Sequence, residues 1–144
     1  MAEPPRDKPG NVVPYDDPDI GSDDGLIRHI NPDYHLVPDQ NTGELRLSTG
    51  AFSGSTNPPR GMSVDLERPM REAGLDSLAM LLNSDFGAVR LIAGEMRELG
   101  HQVGRNPQPR NPYHGEVWGI GRGRTAKKRV MDKAVWLKKP TGLE

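Results

Sequence analysis

The chain has 144 residues, with 33% apolar residues, a net charge of -1, 17 glycines, 14 prolines and no cysteine. That is enough for one domain with a modest core. It excludes disulfide frameworks and thiolate metal sites, fits a reducing, cytoplasmic setting, and offers no apolar run near the ~20 residues of a membrane span.

The charge is unevenly placed. Residues 1–24 carry seven acids against Arg6 and Lys8, a net of -5, while residues 122–139 carry eight bases against Asp132, a net of +7. Residues 1–25, acidic and rich in proline, read as a disordered arm that cannot bury enough apolar surface to offset its ordering entropy. Residues 26–139 read as the folded domain and 140–144 as a tail.

Leu26 to Ile30 predicts a first strand, with Arg28 and His29 on opposite faces. Tyr34 to Val37 and Glu44 to Leu47 predict a hairpin across a turn-rich loop. Ser48 to Thr56 is a run of small hydroxyl residues and glycines around Phe52, and Asn57 to Gly61 reads as loop. Met62 to Leu66 alternates, which places Ser63 and Asp65 outward. Leu75 to Leu82 predicts a helix with Asp76 as its N-cap. Phe86 to Ile92 predicts a strand, and Ala93 to Leu99 two helical turns closed by Gly100, a strand through Met96 being the competing reading. Gln102 to Arg105 is a short strand, and a proline-rich loop leads into another at His114. A last helix is expected from Ala126 to Leu137, stopped by Pro140. The whole is α+β: a small, mostly antiparallel sheet with two or three packed helices.

Chemistry concentrates in Asn111 to Ile120, where His114, Glu116 and Trp118 leave one face of the predicted strand. Glu116 and His114 are the candidate catalytic pair; the bland alternative is a solvated polar row ended by a packed Trp118. Arg28, His29, Ser48 and Thr49 are candidate ligand-binding residues, although a Ser-Thr run equally makes turns. Lys127, Lys128, Arg129 and Lys133 form a basic stretch suited to a protein partner or to weak, salt-sensitive nucleic-acid binding. The four histidines have no local metal-ligand spacing, so no metal is expected, and neither a phosphate-binding loop nor a nucleophile elbow is present.

Arg28-His29-Ile30 with Pro32, Ser48-Thr49 with Ala51-Phe52, Met62-Ser63-Val64, and His114 with Val117 and Gly119, before a basic final helix, together resemble a group of short bacterial proteins of unassigned function. The match runs from Leu26 to Leu137. More distantly, an Arg or His in the first strand, a Ser-Thr run and a late strand-borne Glu are similar to the ADP-ribosyltransferase site. That resemblance implies NAD as cofactor, with Arg28 or His29 holding the dinucleotide, Ser48 and Thr49 shaping the nicotinamide pocket and Glu116 binding the ribose. The chain departs from that family in its short length, the absence of an aromatic helix to grip nicotinamide, and the lack of a second acid flanking Glu116. The expected function is a small cytoplasmic bacterial protein that binds a partner, regulatory, antitoxin-like or immunity-like. An NAD-using enzyme and a nucleic-acid binder are the alternatives.

Overall fold

The computed structural model describes residues 2–54 and 60–144. Met1, and the end of the Ser48-to-Thr56 run with most of the loop after it, lie outside the described residues. The fold is α+β, as expected.

Among the described residues six strands form one antiparallel sheet: β1 (Gly25–Ile30), β4 (Met62–Leu66), β5 (Gly87–Ile92), β6 (Gln102–Arg105), β7 (His114–Trp118) and β8 (Val135–Lys138), in the order β6-β7-β4-β1-β5-β8. The expected hairpin is present as β2 (Leu36–Pro38) paired with β3 (Leu45–Leu47). Alternation sends Leu26 and Ile30, Met62, Val64 and Leu66, Val89 and Leu91, Val103, and Val117 to one face of the large sheet. There they pack with Ala51 and Phe52 of a 3-10 turn (Thr49–Phe52), Ala93 and Met96 of α2 (Ala93–Glu98), and Val130 of α3 (Arg124–Met131). Gly100 takes φ of 93° where α2 ends, so the helical reading of that segment holds over the strand.

Three expectations fail. The final segment is not one helix: α3 stops at Met131, and Val135–Lys138 pairs with β5, with Trp136 opposite Val89. Hydrogen-bond pairing with the edge of β5, with Trp136 packed against the core, outweighs the helical periodicity there. Leu75 to Leu82 forms turns, although Asp76 Oδ1 does accept from the Leu78 N–H at 2.6 Å as a cap would. The helix lies earlier, as α1 (Glu67–Glu72), with Pro69 in its first turn, where its missing N–H costs nothing.

The third correction concerns the arm. Val12 and Ile20 are buried, and Asp17 is only 1% exposed. The arm crosses the outer edge of β6: Asp17 N–H donates to the Val103 carbonyl at 2.9 Å, and Val103 N–H donates to Asp16 Oδ1 at 3.1 Å. These two bonds occupy an edge that would otherwise be open to pairing. Arg97 Nε meets Asp16 at 2.9 Å and Arg105 Nε meets Asp17 at 2.5 Å. The arm's order rests on acids matched by arginines distant in sequence, which its own apolar content does not reveal. The tail is tied as well, by Thr141 N–H to the Asp85 carbonyl at 3.0 Å. Among the described residues, no helix is long and apolar enough to cross a membrane.

Candidate functional site

The second face of the sheet carries the polar side chains, and it divides into a covered half and an open half. Over β6 and β7, Tyr15 of the arm lies against Trp118 with ring centroids 5.7 Å apart, and a Cβ on Gly104 would come within 2.5 Å of the Tyr15 ring. Burial, then a hydrogen bond to the Asp17 carboxylate, pushes the Tyr15 hydroxyl up to about 12. Beneath this cover Glu116 is 1% exposed. Its Oε1 accepts from the Gly61 N–H at 2.6 Å and its Oε2 from Asn106 Nδ2. Both oxygens therefore hold neighbouring loops in place. Asp65, expected to point to solvent, is also buried.

The open half begins where β1 and β4 part. They pair only at Leu26 with Leu66 and at Ile27 with Asp65. Beyond that point two β1 side chains bridge the fork. Arg28 Nε donates to the Ala51 carbonyl at 2.8 Å, and Nη1 to the Ser63 carbonyl at 3.0 Å. His29 Nε2 meets Asp65 Oδ2 at 2.7 Å, while Asp65 Oδ1 accepts from Asn111 Nδ2 at 2.8 Å. A cleft of about 400 Å³ opens over the fork, and Arg28, His29, His35, Asp65, Asn111 and His114 are among its lining residues. Strict alternation predicts that only one of Arg28 and His29 can serve such a cleft; the fork lets both reach it.

Hydrogen-bond partners fix the histidine protons. A carboxylate and a carbonyl can only accept, so His29 Nε2 carries its proton toward Asp65, and His114 Nδ1 donates to the Asn106 carbonyl at 2.8 Å. His35 Nδ1 instead accepts from the Asn31 N–H at 2.9 Å. The one buried side-chain nitrogen or oxygen without a partner among the described residues is His101 Nδ1. The second nitrogens of His29 and His114 are therefore open to solvent, each presenting a lone pair when the ring is neutral. Burial, then the positive charge of Arg28, drives His35 down to about 4, so it is neutral near pH 7. Burial also lowers Arg28 to about 10, which still leaves it cationic. Among the described residues Arg28 has no carboxylate partner; both of its bonds go to backbone carbonyls.

The structure thus gathers Arg28, His29 and His114 of the sequence candidates, and adds Asp65, Asn111 and His35. The spacing of Asp65 from His29 in sequence hid the pair; only the register of β1 on β4 reveals it. Ser48, Thr49 and Glu116 do not line the cleft. Ser48 Oγ accepts from the Gly50 N–H at 3.1 Å and caps the 3-10 turn. Among the basic candidates, Lys128 pairs with Asp132, Lys133 comes within 3.9 Å of Glu95, and Lys127 is half-buried on α3. No group of three or more His, Asp or Glu side chains is placed to hold a metal among the described residues. Comparison with known proteins found no matching family, no matching curated protein and no matching solved structure.

Proposed function

We propose that the cleft over the β1–β4 fork is an acid–base site acting on a small anionic ester or acyl-type substrate, with His29 as general base. The observation that carries this reading is the 2.7 Å contact between His29 Nε2 and Asp65, itself held by Asn111, at the wall of a cavity. A carboxylate behind one imidazole nitrogen fixes the tautomer and orientation and supports the imidazolium that forms when the other nitrogen takes a proton. In a hydrolytic step His29 Nδ1 takes a proton from water as the water oxygen bonds to the electrophilic centre. The leaving group departs with that proton returned from His29, so ester and water become acid and alcohol. Arg28 supplies the positive charge that holds the anion, and His114 offers a second lone pair to the ligand.

The NAD-using alternative draws on Arg28 and His29 in the same cleft, but Glu116 would have to leave both of its donors to reach a ribose there. Partner binding, the leading expectation from sequence, draws support from Arg122, Arg124 and Arg129, which are exposed and form no ion pair among the described residues.

The test is a panel of p-nitrophenyl acetate, p-nitrophenyl phosphate, bis(p-nitrophenyl) phosphate and NAD, assayed with the parent protein and His29→Gln. Glutamine can keep an N–H toward Asp65 while removing the base. The expected result is turnover of at least one compound by the parent, falling by about 100-fold or more in the variant at an unchanged melting temperature. No turnover of any compound, or equal turnover by both proteins, overturns the reading.

A further inference from the structure

The residues between Gly74 and Gly87 form an apolar flap. Leu75, Leu78, Met80, Leu81, Leu82 and Phe86 all belong to it, yet none is buried, and Leu82 is 83% exposed. The flap is secured at both ends. Ser77 Oγ donates to Glu67 Oε2 at 2.5 Å, and Arg90 and Arg71 hold that same carboxylate. At the far end Lys138 Nζ donates to the Ser84 carbonyl at 2.5 Å, and Asp85 is bonded to Thr141. Between these anchors Met80 and Leu82 form the lip of the cleft, with Phe86 on its wall. No surface among the described residues covers this lip, although it lies over the same cavity as Arg28 and the two open imidazole nitrogens.

We propose that Met80, Leu82 and Phe86 are specificity-determining residues that select an anion carrying an aromatic or apolar group. This rests on the reading of the cleft as a ligand site and names the class of ligand it takes. Charge placement sets the orientation: the anionic end goes to Arg28 at the fork, beside His29 and His114, which donate to it when protonated or accept from a ligand hydroxyl, and the apolar end lies under the lip. A wholly polar anion leaves the lip wet. A wholly apolar molecule leaves Arg28 without a counter-charge. Only a ligand with both parts satisfies both walls. A ring that buries on the order of 60 Å² of apolar surface against the lip gains about tenfold in affinity over the bare anion.

The experiment is titration of the full chain with phenyl phosphate and with inorganic phosphate, followed by calorimetry and by the histidine signals in NMR spectra. The parent is compared with Leu82→Ser and with Met80→Ser/Leu82→Ser. Leu82 is exposed, so its substitution leaves the fold intact, and a melting curve checks the double variant. The expected result is phenyl phosphate binding about tenfold more tightly than phosphate, perturbing His29 and His114. That advantage falls most of the way toward unity in the double variant, and phosphate affinity is unchanged. Equal affinity for the two probes in the parent, an advantage untouched by the substitutions, or binding of neither probe overturns the proposal. Self-association lost in Leu82→Ser without any probe binding also overturns it, and makes the lip a contact between proteins instead. Turnover that depends on His29 without any phenyl preference would sink the lip and leave the acid–base site standing. Phenyl preference without such turnover would do the reverse.

Discussion

Glu116→Gln is the substitution that separates a structural carboxylate from a catalytic one. Glu116 accepts from two donors, the Gly61 N–H and Asn106 Nδ2, at 1% exposure. Glutamine can keep the Gly61 bond through its oxygen, and Asn106 can turn its amide so that its own oxygen faces the new NH₂ group. Two charge-assisted bonds then become two neutral ones, at a cost of about 1–2 kcal/mol in all. Asn106→Asp is worse, because it sets two carboxylates against each other where Asn106 and Glu116 are both buried, and should cost about 3–5 kcal/mol. Combining the two swaps carboxylate and amide and should return most of that loss. A chain of 144 residues unfolds with an entropy of roughly 0.3 kcal/mol per degree, so each kcal/mol moves the melting temperature by about 3 °C. Glu116→Gln should melt about 3–6 °C below the parent, Asn106→Asp about 10–15 °C below, and the double variant close to Glu116→Gln. Thermal melts with urea titrations give the double-mutant cycle directly. Additive losses, or an unchanged melting temperature for Glu116→Gln, would refute the assignment. Any turnover in the cleft should survive Glu116→Gln, contrary to what the sequence alone suggested.

Other outcomes follow from the same geometry. His35 is held at about 4 in the fold against about 6.5 when unfolded, so the unfolded chain binds its proton first. Its contribution is complete above pH 6.5, falls between about pH 6.5 and 4, and costs at most about 3 kcal/mol over that window. His35→Asn keeps an acceptor near Nδ1 and should flatten that part of the stability–pH curve in urea titrations; an unaltered slope would show that another group is responsible. Gly104→Ala would put a methyl 2.5 Å from Tyr15 and 2.9 Å from Trp118, so the ring must leave and release the Tyr15 hydroxyl from Asp17 and the Arg105 carbonyl. Limited proteolysis should then cut within residues 2–24 much faster than in the parent, with a melting temperature lower by several degrees; equal resistance would mean that the arm is not held by this contact.

Strand positions were legible because local alternation decides them. Met62, Val64 and Leu66 face the core as their pattern requires, and the hairpin, α2 with its Gly100 cap, and β7 lie close to where the residues place them. The misses share one cause. The arm's order comes from Arg97 and Arg105, and β8 from the free edge of β5. Each of these is a partner distant in sequence. The candidate site was half legible for the same reason. Arg28, His29 and His114 stand out as ionisable side chains on strands, whereas Asp65 reads as an outward polar residue of an alternating strand. Nothing local distinguishes it from Ser63, its neighbour on the same face.

Asp65 and Glu116 make the point most sharply. They stand on adjacent strands, Asp65 opposite His114 and Glu116 opposite Ser63, and they share one face of one sheet. Their roles differ because of what lies above them. The arm closes over Glu116, and its lone pairs go to amide N–H groups that do not ionise near neutral pH. Over Asp65 the strands diverge and a cleft opens, and one carboxylate oxygen goes to an imidazole that can take up a proton on its other side. A buried carboxylate that meets only amides can fix a loop; one that backs a histidine open to a cavity can also support proton transfer. The sequence made Glu116 conspicuous because it is the lone acid between Leu99 and Ala126. The fork places Asp65 behind a histidine at the wall of a cleft.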